Sequence, residues 1–298
     1  MGIVSSENFG YLLDPGLRKV FTDEFGQPGD MISQLYSIEK SGKAIEYDLG
    51  VGGTGDLEEF TGTIPYDDFD QQYRTSYTHK EWVKGMKVER KLVDDDLYNV
   101  INSRPRLLAT VSRRTREKHG ASIFNNAFNS TVFSGGDTLS LCSTAHTFVG
   151  TSTTPGNSGT TALSATAIEA TRILGMKLTD ETDNLMDVMY DTILVPPNLE
   201  ETATQIVKST LEVGTANNTI NFNQGRYKVL VWNRLTDTNN WFMIDSKYMK
   251  MFLKWFDRIP TEFNKDKDFD TYVAKWSVYA RYSYGFSDWR WIYGQNVS

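Results

Sequence analysis

Three histidines, His79, His119 and His146, and one cysteine, Cys142, are the side chains best suited to nucleophilic, acid–base or metal chemistry. A thiol enzyme needs the sulfur within hydrogen-bond reach of an imidazole, and an acid to orient that imidazole. Cys142 and His146 lie four residues apart in a strand and loop rich in Gly, Ser and Thr. That spacing fixes no mutual geometry, and no acid adjoins them in the sequence. His119 falls in the basic run Arg113-Arg114-Thr115-Arg116-Glu117-Lys118 and reads as a solvated helix residue, while His79 reads as part of a ribbon. Positions so scattered lack metal-ligand spacing. Asp67 and Asp68 are neighbours on a turn, where paired carboxylates are solvated more often than they act as acid and base. No G-x-G-x-x-G or phosphate-binding loop follows a strand. The residues thus point away from catalysis, with no cofactor and no metal. The basic run would suit nucleic-acid phosphates, although most such runs are exposed helix faces.

Composition agrees with a structural reading. A chain of 298 residues, 39% hydrophobic and 23% charged, can bury one large core or two ordinary ones. Its net charge of −7 argues against nucleic acid as the main partner of the surface. A lone cysteine excludes an internal disulfide and fits a reducing compartment. The first residues, MGIVSSENFG, lack the basic start and apolar core of a signal peptide, and fit a myristoylation pattern only superficially. No stretch approaches the roughly 20 apolar residues that span a bilayer. The chain is expected to be soluble and intracellular at synthesis.

The elements organise around residues Asp94 to Asn129. Apolar residues recur at helical spacing from Leu97 to Phe128, with Asp94, Asp95 and Asp96 as candidate caps. A continuous helix there would reach roughly 50 Å, with Pro105 expected to kink or restart it and Gly120 a second weak point. Before it, residues 1 to 38 hold short apolar clusters between Pro-Gly turns and read as an arm that lies on its own domain or on a neighbour. Ala44 to Val51 and Tyr73 to Val88 read as extended segments of a long ribbon. Its first half carries only acids (Glu46, Asp48, Asp56, Glu58, Glu59, Asp67, Asp68, Asp70), and its second half is mostly basic (Arg74, Lys80, Lys84, Lys87, Arg90, Lys91). Such segregation fits either strands that pair opposite charges within the ribbon or a projecting loop that meets complementary neighbours.

After the helix, Thr131 to Gly159 reads as a strand and an exposed, mobile loop. Residues 147 to 244 alternate helix and strand like a compact α/β unit. Predicted pieces are a helix from Ala162 to Met176 capped by Ser164 or Thr166, and a strand from Met189 to Val195. A helix from Leu199 to Leu211 capped by Asn198 follows, then strands from Tyr227 to Trp232 and from Trp241 to Ile244. In Asp270 to Ser283, Tyr272, Ala274, Trp276, Val278, Ala280 and Tyr282 share one face, and Trp289 to Tyr293 is expected to return as the second strand of a hairpin. The aromatic face of that hairpin needs a cover, and the long helix is the expected one. The α/β unit is then an insertion in one domain.

This order of arm, charged ribbon, spine helix, inserted α/β unit and closing strands resembles the HK97-type fold of tailed-phage major capsid proteins. Local sequence narrows the likeness. The run Leu139-Ser140-Leu141-Cys142-Ser143-Thr144-Ala145-His146 looks like a segment of the Mu-like prophage major head subunit family. So do Ile193 to Glu200, the Trp241-Phe242 strand, and Arg281-Tyr282 to Gly285 with Asp288, Arg290 and Tyr293-Gly294.

The resemblance implies an α+β fold with an N-arm (1–38), an extended E-loop hairpin (39–93), a peripheral P domain (94–146 and 245–298) and an axial A domain (147–244). It implies a major capsid protein, not an enzyme, that assembles into hexamers and pentamers of an icosahedral shell around phage double-stranded DNA. Another phage or shell-forming particle component, in a tail or an encapsulating compartment, is the alternative. Glu46, Asp48, Asp56, Glu58, Glu59, Arg74, Lys80, Lys84 and Lys87 would contact neighbouring subunits. Arg113, Arg114, Arg116 and Lys118 would face packaged DNA without sequence specificity. Scaffold, protease and portal proteins are implied partners, no membrane is involved, and the protein would reside in the virion after assembly in the host bacterial cytoplasm. No residue pattern identifies a crosslink between subunits.

Overall fold

A computed structural model describes residues 19, 21–25, 30–51, 57, 59–60, 62, 64, 66, 71–89, 100–212, 219–268 and 273–298. The candidate caps Asp94 to Asp96, and the ribbon acids Asp56, Glu58, Asp67, Asp68 and Asp70, lie outside the described residues.

The spine helix runs from Val100 to Asn125. It continues through Pro105 instead of stopping there. The ring removes one backbone hydrogen bond, and burial of Leu108 and Ala109 just beyond it holds the next turns in place. Further along, Glu117, Gly120, Ala121 and Phe124 form a buried stripe at three-and-four spacing. Gly120 is a seat, not a weak point. A Cβ there would stand 3.0 Å from Ile32 Cγ1 and 3.3 Å from the Trp232 ring. The missing side chain lets both pack onto the helix.

One face of the spine is covered by a four-stranded sheet in the order β1 (Ser37–Lys40), β9 (Leu253–Lys267), β10 (Val273–Phe286), β4 (Lys80–Glu89). Trp276, Val278, Ala280 and Tyr282 of β10 are buried, as the alternation predicts. Two expectations change. The antiparallel partner of β10 is β9, paired from Leu253 opposite Phe286 to Lys267 opposite Ala274 with the register shifting around Arg281. And β4, expected to lie in the ribbon, pairs with β10 along all ten of its residues. The true two-stranded ribbon is β2 (Ile45–Val51) with β3 (Gln71–Thr78).

A second sheet has the order β5 (Ser158–Gly159), β11 (Ile292–Gln295), β8 (Trp241–Ile244), β6 (Thr192–Val195), β7 (Lys228–Val231). The residues expected to return along β10 thus cross to the inserted unit, where β11 lies between β8 and β5. Asp288 turns the chain by accepting from the Arg290 amide, and the fully buried Trp291 anchors the crossing. Phe124 of the spine meets Trp232, Phe242 and Trp291 edge-on, so the helix joins both sheets in one core.

Ser164 caps the helix Ala165–Met176 through the Ala167 amide, as expected. Asn198 does not cap its helix. Pro197–Leu199 forms a 3₁₀ turn that runs into the helix Glu200–Lys208, with no side-chain cap. The described residues of the arm pack on their own chain. Phe21 packs against Phe263 and joins a small cluster with Leu108 and Trp276. The short helix Met31–Leu35 sits against the spine, with Ile32 and Leu35 fully buried.

Candidate functional site

The segment 131–159 is neither a strand nor an exposed loop through its length, since Leu141, Cys142, His146 and Asn157 are all buried. Asn157 is the organising residue and is 0% exposed. Its Nδ2 donates to the carbonyls of Leu141 at 2.9 Å and Ile292 at 3.0 Å. Its Oδ1 accepts from the Ser143 amide at 2.9 Å and faces His146 Nε2 at 3.0 Å. Asp137 Oδ2 lies 2.6 Å from His146 Nδ1, and the imidazole stacks on Trp289 at 4.1 Å. An orienting acid therefore exists, nine residues upstream of the histidine.

Both imidazole nitrogens are occupied by partners, so His146 has no nitrogen left to act as base on Cys142. The thiol is held elsewhere: a Cβ on Gly294 would stand 2.6 Å from Cys142 Sγ and 2.8 Å from the Phe128 ring. Burial pushes the thiol far above its usual range, against the nucleophilic thiolate. This constellation fastens β11 to the turn region 137–146, and its chemistry is hydrogen bonding. Among the described residues, no group of His, Cys, Asp and Glu could hold a metal ion, and no helix is long and apolar enough to cross a membrane.

The other histidines are structural too. His119 is half-buried instead of lying on a solvated face. Its Nδ1 lies 2.8 Å from the Tyr282 hydroxyl and its ring packs on Trp82 at 4.2 Å, with burial holding its pKa down. His79 sits between Ser41 Oγ at 3.0 Å and Ser283 Oγ at 2.9 Å, where β3 hands over to β4.

The residues expected to contact neighbours divide into two groups. At the ribbon's base Glu46 accepts from Ser41 Oγ at 2.7 Å, the main cause of its lowered pKa, and pairs with Lys43. Asp48 stands opposite Thr75, and Arg74 opposite Leu49, with the Arg74 guanidinium 4.6 Å from the Tyr47 ring centre. Opposite charges thus do not face one another across the described ribbon. Glu59 is exposed. Lys80, Lys84 and Lys87 are exposed on β4, the edge of the four-stranded sheet and away from the ribbon. The far end of the described ribbon is tied down by Gln72, which exchanges hydrogen bonds with the Val149 backbone, and by the Tyr73 hydroxyl, 3.0 Å from Thr147 Oγ1.

The basic run of the spine divides as well. Arg114 and Lys118, four residues apart, share an exposed face. Arg113 reaches back to the Glu24 carbonyl. Arg116 is turned onto the sheet, which removes it from a DNA-facing set. Its guanidinium makes a two-pronged pair with Asp257 at 2.9 and 3.2 Å and lies 4.9 Å over Trp255. Both side chains are at most 15% exposed. Arg116→Ala is expected to cost about 3 kcal/mol, because it strands a mostly buried carboxylate. Asp257→Ala should cost a similar amount, and the double variant clearly less than the sum. Urea unfolding of the four proteins checks this.

Glu117 is the site residue that sequence reasoning passed over. The signal was present: an acid on the apolar stripe with Gly120, Ala121 and Phe124. Its Oε1 accepts from the Met31 amide and its Oε2 from Trp232 Nε1, both at 2.9 Å. One carboxyl thus joins the arm, the spine and the segment after β7.

Comparison with known proteins places these features in context. A phage capsid protein family model matches residues 72–294. No curated protein matches in sequence. Solved structures share the fold. The mature capsid of bacteriophage PhiM1 is similar with a TM-score of 0.58 at 11% identity, over 91% of this chain and 88% of that one. The decorated capsid of bacteriophage JBD30 gives 0.56 at 13%, over 71% and 92%. The capsid of an empty GTA particle gives 0.55 at 13%, over 100% and 99%.

Proposed function

The chain belongs to the phage capsid protein family, and from that premise we propose that it is the major head subunit, assembling with copies of itself into the icosahedral shell around phage double-stranded DNA. The observation that carries this is the family match across residues 72–294, on a chain whose α+β fold is HK97-like. Its role is structural and its place is the virion capsid. The buried Asp137, His146 and Asn157 cluster suits that role, since a shell subunit needs fixed geometry at many repeated contacts.

In this reading the ribbon β2–β3 with residues 52–70 is the E-loop, the four-stranded sheet and spine form the P domain, and the five-stranded sheet belongs to the A domain. Glu46, Asp48, Asp56, Glu58, Glu59 and Arg74 would act from the ribbon on an adjacent subunit, and Lys80, Lys84 and Lys87 from the P-domain edge. Arg114 and Lys118, with Arg113, would line the interior near DNA. Scaffold, protease and portal proteins would act with the subunit in the host bacterial cytoplasm. The Leu139 to His146 segment and the closing Arg281 to Gly294 residues support placement among Mu-like head subunits.

Negative-stain electron microscopy with sedimentation, on protein co-expressed with the phage head proteins, tests the reading. Closed polyhedral shells are expected. Arg114→Gln with Lys118→Gln should leave shells intact and lower the DNA retained in them. A monodisperse monomer or dimer at high concentration with the head proteins present would overturn the proposal. Rings of five and six would support it as well, whereas tubes with no closed shell, even with the head proteins present, would favour a tail or other particle component.

A further inference from the structure

The arm meets the spine helix through two carboxyl groups. Asp30 caps the short helix Met31–Leu35, its Oδ1 accepting from the Ile32 amide at 3.0 Å. Glu117, 9% exposed, accepts from the Met31 amide and the Trp232 indole. The two carboxyls thus accept from consecutive backbone amides at the start of that helix, which sets them side by side. Two acids side by side at a buried seam repel when both are ionised, and the repulsion is relieved when one of them holds a proton.

Among the described residues, the surrounding groups leave that proton as the remaining means of neutralisation. Facing Glu117 are Asp30 from the arm, Trp232 from the segment after β7, and Tyr36, whose hydroxyl donates to the Gly120 carbonyl at 2.6 Å. Lys250, a cation beside the short arm helix, donates to the Ser33 and Tyr36 carbonyls. On the spine, Arg116 is held by Asp257, and Lys118 is exposed.

We propose that Glu117 and Asp30 form a proton-held latch, which fastens the arm to the spine helix and loosens when that proton leaves. Burial first, and Asp30 second, raise the Glu117 pKa from 4.5 to about 7. A carboxyl raised on folding stabilises the closed state fully below its unfolded pKa, and the stabilisation is lost as pH rises through the folded one. The latch therefore opens between about pH 5 and 8. It works within one subunit and does not depend on the capsid reading.

Hydrogen exchange of the purified full chain, corrected for intrinsic rates, tests it at pH 5.5, 7 and 8.5. Protection of the Met31 to Tyr36 amides is expected to fall about tenfold or more across this range, while amides in β8 stay constant. Glu117→Gln keeps an acceptor for Met31 or Trp232 and gives Asp30 a donor, so its arm protection should be high and flat with pH. Asp30→Asn retains a cap, and should shift the midpoint of the fall to lower pH. Uniform protection in the unmodified chain, or the same pH dependence in Glu117→Gln, would overturn the latch. The unmodified chain alone decides the first point, whether or not the variants fold.

Discussion

Deleting Gly50 to Pro65 is expected to yield a folded subunit that forms no stable shells. β2 and β3 pair only with each other, and a two-stranded ribbon has little stability of its own. Tyr47 and Leu49 on it are 55% and 49% exposed, an apolar surface open to a neighbour. The β3 residues Gln72 and Tyr73 keep their bonds to Val149 and Thr147, and both hydrophobic clusters consist of residues outside 50–65. Thermal unfolding should therefore shift little. Assembly should not survive: if the ribbon contributes about 3 kcal/mol to each contact, its loss weakens that contact roughly 100-fold, and a shell repeats the contact many times. Sedimentation and electron microscopy of the deleted chain check both halves. Normal particles would remove the ribbon from the interface.

Asn157→Ala is expected to be the most damaging single substitution for folding. It leaves the Leu141 and Ile292 carbonyls, the Ser143 amide and His146 Nε2 without their partner in a fully buried place. Each unsatisfied buried group costs about 1–3 kcal/mol. Allowing for relaxation, a loss of about 4 kcal/mol follows, a large part of the roughly 5–15 kcal/mol that holds a protein folded. Asn157→Asp should also destabilise strongly, because a carboxylate cannot donate to the two carbonyls. Denaturant unfolding monitored by tryptophan fluorescence measures both, since Trp289 stacks on His146. A change below about 1 kcal/mol would show that the cluster is not the fastening of β11.

What the sequence determined by itself was local and periodic. Three-and-four spacing marked the spine, strict alternation marked the buried face of β10, and Ser164 marked a helix start. Each follows from the geometry of one element and needs no partner. The order of elements was enough to indicate a phage capsid protein. Only the tertiary structure decided the partnerships. β9 was missed because its charged residues Asp257, Arg258, Glu262 and Lys265 obscure the alternation, and Asp257 finds its partner 141 residues away in Arg116. β4 looked like ribbon because a basic edge strand and a basic ribbon strand have the same composition, and pairing with β10 separates them. β11 crossed to the second sheet because Trp291 fits a pocket shared with Phe124, which no local pattern records. Polar residues were the least legible. Asn157, His146 and Glu117 are ordinary as letters, and their roles exist only where folding brings distant carbonyls, amides and carboxyls within 3 Å of them. Hydrogen bonds are directional and short-ranged, so their pairing is settled last, by the packing that the apolar pattern has already imposed.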